Sequence, residues 1–218
     1  MITALDALTV DLVPHTQSVT REGWTGKDSA RPLSPQGLSQ AGSLAAVMRD
    51  SIDAIYSSPA KRCVQTVEPL ARSFGLSIAT APGLATPDGI YQPQEWTEGF
   101  FSPFQRELGG AWMAGAALAV LITMGNAHPG GHVVACSHGD VIPVLVAQAL
   151  ALYGRSSPPP VVDRGGWHRM RFGTDALTIE SHGPVVSLPT RADSIRARLP
   201  AVQADPRLDP AEDGPGSP

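Results

Sequence analysis

Lysine is nearly absent from this 218-residue chain, which has only Lys27 and Lys61. Lys and Arg together number 16 against 20 Asp and Glu, a formal charge of -4 with a pI near 5.8. That balance provides no broad cationic field to hold nucleic acid or an anionic membrane, so any anion binding has to be local. Cysteine is as scarce. Cys63 and Cys136 are the only two, and each falls in a segment that reads as buried, so both behave as small apolar residues of a reducing compartment and no disulfide is expected. The N-terminus lacks a basic leader, and the longest apolar run, Ala114 to Met124, is interrupted by Gly115 and Thr123 and is too short to cross a bilayer. The expectation is a soluble, cytoplasmic protein with one sizeable core and a tail.

Against this background two stretches stand out. Thr9 to Thr16 is an apolar strand pattern that delivers His15 at its C-terminal end, and His132 to Asp140 is a second one that ends on His138 and Gly139. In open α/β sheets, ligands bind beyond the carboxyl ends of the strands, so two histidines delivered there are candidates for chemistry.

The rest of the chain supports such a sheet. Met1 to Leu8 is a weak, disorder-prone lead-in. Residues 17–31 form a polar loop that carries Arg21 and Arg31. Ser34 caps a helix with Pro35 at its first position, and Leu38, Ala41, Leu44, Ala45 and Met48 form its apolar face. After a strand over 52–56, Ser58 is placed to cap a helix starting at Pro59, with Arg62 in the first turn and Pro69 kinking or splitting it. A strand follows over 76–79. Residues 80–105 form a long excursion with Trp96, Phe100 and Phe101, which could cap a substrate pocket or pack on a core of their own. A helix from Arg106 or Ala111 to Gly125, the His138 strand, a helix over 141–153 and a hairpin of 167–172 with 176–181 complete the pattern. This alternation predicts an α/β fold, a three-layer α/β/α arrangement with a mainly parallel central sheet in a domain spanning 1–188, followed by a Pro/Asp-rich tail over 189–218, disordered or loosely docked.

Singly, each candidate has a plainer explanation. A histidine after an apolar strand is often structural, and Arg62 alone is an ordinary helix arginine. His128 and His132 sit in a Pro-Gly-Gly turn with no acidic cluster, which argues against a metal pair, and Ser137-His138-Gly139 lacks the flanking glycines of a serine-hydrolase elbow. Together, His15, Arg62, His138 and a loop arginine make up a set suited to phosphoryl transfer. A neutral imidazole is a nucleophile toward phosphorus, and guanidinium groups bind phosphoryl oxygens through forked hydrogen bonds.

The blocks Leu12-Val13-Pro14-His15-Thr16, Arg31-Pro32-Leu33-Ser34, Ser57 to Thr66 and Ser137-His138-Gly139 resemble the motifs of the histidine phosphatase superfamily, which includes the phosphoglycerate mutases. The resemblance is closest to its small phosphohistidine phosphatase and Nudix-fused branch. It implies a phosphoglycerate mutase-like fold and a metal-independent phosphatase that needs no cofactor and acts on a phosphorylated small molecule or phosphoprotein. It further implies that His15 becomes phosphorylated while Arg62 and His138 hold the phosphoryl group. Arg21 and Gly139 are further phosphate-binding candidates.

Two positions depart from the pattern. Pro14 stands where the family has an arginine, removing a charge and a backbone donor. The usual acid after the third strand is replaced by Thr86, which leaves Asp88, Glu95 and Glu98 as proton-donor candidates. These departures keep a second expectation open, a degenerate member that binds a phosphorylated ligand with little turnover. Oligomeric state stays open too, a homo-oligomer included.

Overall fold

The computed structural model describes residues 2–87, 98, 105–156 and 163–184. Among them, strands β1 (Thr9–Pro14), β2 (Ala54–Ser57), β3 (Ile78–Thr80), β4 (His132–Ser137), β5 (Trp167–Phe172) and β6 (Leu177–His182) form one sheet in the order β3-β2-β4-β1-β5-β6. Neighbours from β3 to β1 are parallel. The closing hairpin of β5 and β6 is antiparallel and adds to the free side of β1.

Side chains alternate across the sheet, so each strand feeds two cores. Val10, Leu12, Val133 and Ala135 face helices α3 (Gln105–Ala127) and α4 (Val141–Ala151). Val13, Val134 and Cys136 face α1 (Pro35–Val47) and α2 (Lys61–Phe74). The fold is therefore the three-layer α/β/α arrangement that the strand and helix alternation predicts. Each fully buried Leu or Val in these layers contributes about 1.5–3 kcal/mol.

Ser34 caps α1, its Oγ accepting the Gly37 N–H at 3.1 Å, with Pro35 as the first helical residue. The buried stripe is Gly37, Ala41, Leu44 and Met48, whereas Leu38, expected inside, is half exposed, one position off the stripe. Gly37 belongs there for a steric reason. A Cβ at this position would lie 1.8 Å from the Gln17 carbonyl oxygen, so only glycine lets the loop after His15 cross the helix.

Helix α2 begins at Lys61 rather than Pro59, and it runs unbroken through Pro69 to Gly75, which takes the left-handed cap at φ 66°. Pro69 removes one backbone bond, at a cost of about 3 kcal/mol. The burial of Val67, Leu70 and Ala71 on the same stretch offsets it.

Two further expectations change. The lead-in is ordered and packed, a 3-10 turn at Thr3–Leu5 that buries Leu5 and Leu8 in the core. It crosses α3 at Gly125, where a Cβ would meet the Ala4 carbonyl oxygen at 1.8 Å. The apolar run around Ala114 is also longer than its sequence interruptions imply, because neither Gly115 nor Thr123 ends the helix. Leu108–Ala127 is long and apolar enough to cross a bilayer by length and composition. In the fold, its Ala114, Ala117, Leu121 and Met124 stripe is buried against the sheet layer, while 28% of the apolar window as a whole is buried.

Candidate active site

The parallel register brings three strand ends to one level. Pro14 lies opposite Ser137, and Ser57 opposite Cys136. The next residue along each strand is then held by the neighbour's backbone. His15 N–H donates to Ser137 O at 2.9 Å, and Ser58 N–H donates to Cys136 O at 2.9 Å.

This register also explains how β1 tolerates a proline. Thr9 and His15 donate toward β4, so by the period of two the N–H of residue 14 would point the other way, toward β5. Pairing with β5 stops at Leu12. The donor missing at Pro14 therefore has no ladder partner to lose.

His15 is 8% exposed, and its Nδ1 lies 2.8 Å from its neighbour's carbonyl, Thr16 O. A carbonyl only accepts, so Nδ1 carries the proton and Nε2 keeps its lone pair. The pKa of His15 is lowered to about 4, first by burial and then by electrostatic repulsion from neighbouring His138 and the Arg62 and Arg164 guanidinium groups, with the Thr16 carbonyl opposing. The ring is thus a neutral imidazole with its nucleophilic nitrogen unprotonated. Thr16 fixes the residue from behind, its N–H donating to Thr66 Oγ1 at 3.0 Å and its Oγ1 to Gly37 O at 2.9 Å.

His138 has a defined tautomer as well. Arg62 Nη2 donates to its Nδ1 at 3.3 Å, so Nε2 bears the proton and donates to Ser58 Oγ at 2.8 Å. Ser58 Oγ also accepts the Ala60 N–H at 3.3 Å. Ser58 therefore serves His138 instead of capping α2, whose first residue has no side-chain cap. Cys63 Sγ packs 3.5 Å from His138 Nε2, and both cysteines are free and fully buried.

Arg62, in the first turn of α2, is 5% exposed. Its Nη1 donates to Asp28 O at 2.6 Å and its Nη2 to Asp28 Oδ2 at 2.9 Å, while Nε has no partner among the described residues. Asp28 is the centre of a cation cluster, since its Oδ1 also lies 3.1 Å from Arg31 Nε and 3.3 Å from Arg21 Nε. Partial burial acts to raise the Asp28 pKa, but the charges of Arg62, Arg31 and Arg21 outweigh it and hold the carboxyl below its usual range. Arg31 also braces the loop through Ser18 Oγ and Val19 O, both at 2.7 Å.

His15, Arg62, His138, Asp28, Arg21 and Arg31 line one open cavity of about 970 Å³, together with Trp24, Thr86, Gly139, Asp140 and Arg164. The structure brings together His15, Arg62, His138, Arg21 and Gly139. Of the proton-donor candidates, Asp88 and Glu95 lie outside the described residues, as do Trp96, Phe100 and Phe101, while Glu98 is exposed and is not among the described cavity residues. Asp28, Ser58, Asp140 and Arg164 are the site residues that sequence reasoning missed. The signal for Asp140 is its place directly after Ser137-His138-Gly139, and it is bound to Thr86, whose Oγ1 lies 3.0 Å from each carboxylate oxygen. Among the described residues no group of three His, Cys, Asp or Glu side chains could hold a metal. His128 instead meets Tyr56 OH at 3.0 Å, and His132 meets Asp11 Oδ2 at 2.9 Å.

The mainly parallel sheet that brings His15, His138 and the buried Arg62 to its strand ends has a phosphoglycerate mutase-like fold. Residues 11–88 match the family model of the histidine phosphatase superfamily (branch 1). An 8-oxo-(d)GTP phosphatase of Mycolicibacterium smegmatis is 35% identical over 79 residues, which are 36% of this chain and 24% of that protein. The chain thus spans about a quarter of the length of that curated relative. Among solved structures, Bacillus stearothermophilus YhfR aligns with a TM-score of 0.62 at 17% identity, covering 82% of this chain and 98% of that one. The phosphoglycerate mutase of Bacillus anthracis aligns at 0.59 with 16% identity, covering 84% and 96%. The family-model match includes His15 and Arg62 but stops before His138.

Proposed function

We propose that this chain is a phosphatase that hydrolyses a small phosphoester or phosphohistidine through a phosphohistidine intermediate on His15, with arginines rather than a metal neutralising the phosphoryl oxygens. The observation that carries this reading is the tautomer of His15, whose Nδ1 is tied to Thr16 O while Nε2 is left with its lone pair. In the first step Nε2 forms a bond to phosphorus as the bond to the leaving group breaks. Arg62 stabilises the equatorial oxygens, and the Nε2–H of His138 joins it by turning from Ser58 Oγ to the phosphoryl group. The leaving oxygen or nitrogen takes a proton from the acid form of Asp140, the side chain that Thr86 positions in the cavity, which leaves a carboxylate. Water then attacks the phosphorus, the N–P bond breaks, phosphate leaves, and Asp140 recovers its proton from that water.

A second reading has its own observations. Pro14 removes a cation and Asp28 already engages Arg62, which suits a member that binds a phosphorylated ligand and turns it over slowly. Pro14→Arg separates the two readings. A large gain in aryl phosphate hydrolysis from a slow wild type supports the binding role, whereas a fast wild type that gains nothing supports the phosphatase.

A further inference from the structure

If position 14 supplies no cation, the charge that complements a phosphoryl group on His15 has to come from another element. Four arginines line the cavity, Arg21, Arg31, Arg62 and Arg164. The first three all engage the Asp28 carboxylate. Arg31 is committed further to the loop backbone and Ser18, and Arg62 to His138. The guanidinium of Arg164 alone forms no ion pair among the described residues.

Topology explains why this arginine reaches the site. Strand β5 runs antiparallel to β1, with Leu12 opposite His168. The start of β5 therefore lies beside the C-terminal end of β1, the end that carries Pro14 and His15. The turn just before β5 is firmly built. Gly166 N–H donates to Asp163 O at 3.0 Å, and buried Gly165 sits at φ +91°, a conformation that only glycine takes without strain. A Cβ there would also lie 3.6 Å from Pro184. Arg164 itself is exposed to the cavity, and its charge acts on the His15 ring.

We propose that Arg164 is a phosphate-binding residue of this site, supplying from the turn before β5 the cation that an arginine at position 14 would supply from the end of β1. This deepens the phosphatase reading and rests on its phosphate site. Two readouts are needed, orthovanadate binding by titration calorimetry and hydrolysis of p-nitrophenyl phosphate. They are applied to the wild type, Arg164→Gln, Arg164→Lys and Arg164→Gln combined with Pro14→Arg. Arg164→Gln is expected to weaken orthovanadate binding by at least ~10-fold and to lower kcat/KM by roughly 10²-fold. Arg164→Lys retains part of both, and adding Pro14→Arg restores binding to the glutamine variant.

The assignment is overturned if Arg164→Gln, with an unchanged melting curve, binds orthovanadate within twofold of wild type. It is equally overturned if the double variant recovers nothing. A wild type that binds orthovanadate through Arg164 yet releases no nitrophenol sinks the phosphatase reading and leaves the arginine in place. Turnover that Arg164→Gln does not alter does the reverse.

Discussion

The rings of His15 and His138 meet edge to face, with centroids 5.4 Å apart and planes inclined by 72°. Two imidazoles this close cannot both be charged without strong repulsion, and the hydrogen bonds around them assign one proton to each ring. His15 keeps its proton on the nitrogen turned to the backbone, and His138 keeps its own on the nitrogen turned to Ser58. This division of labour gives one nucleophile and one donor from the same residue type.

Stability should record that arrangement. The His15 pKa falls from 6.5 to about 4 on folding, so between those values the unfolded chain binds more protons than the folded one. Stability then rises with pH through this window and is lost as pH falls through it. Relative to pH 7.5, the penalty at pH 5 is about 2 kcal/mol. Urea denaturation of wild type and His15→Asn at both pH values should show the wild type losing that much more. Equal losses would mean that His15 is not held neutral by the fold.

Asp28 competes with any phosphoryl group for Arg62. Its depressed pKa keeps it charged across roughly pH 5 to 9, so the competition persists through the working range. Asp28→Asn removes the charge and should tighten inorganic phosphate binding about fivefold, the value of a partly exposed ion pair near 1 kcal/mol. Weaker binding in this variant would show instead that Asp28 positions Arg62.

Asp11, fully buried at the other end of β1, holds Arg169 through Nε and Nη2, each at 2.8 Å, and also His132. Replacing it by alanine leaves a partly buried guanidinium with only the more exposed Asp50 as partner. The expected cost is about 3 kcal/mol in urea denaturation, with hydrolysis near wild type at low temperature. A normal denaturation midpoint would show that the network contributes little.

Much of this architecture is legible in the residues because local signals agree. Ser34 and Pro35 start α1, Gly75 ends α2, and alternating apolar residues mark both faces of the sheet. The proline rule fails at Pro69, since packing of Val67 and Leu70 overrides local chain preference. The lead-in is missed because its order comes from the long-range contact of Ala4 with Gly125. The same reason hides half of the site. His15, Arg62 and His138 stand in motifs, whereas Arg164 reaches them only through the antiparallel pairing of β5 with β1. Asp28 becomes visible only when three arginines from different stretches close on one carboxylate.

The role of His15 as carrier of the phosphoryl group is tested by hydrolysis of p-nitrophenyl phosphate by purified wild type beside His15→Ala, with folding of both verified by circular dichroism. The wild type is expected to turn over and the variant to release nothing above background. Equal hydrolysis by the two proteins would rule out phosphoryl transfer through His15.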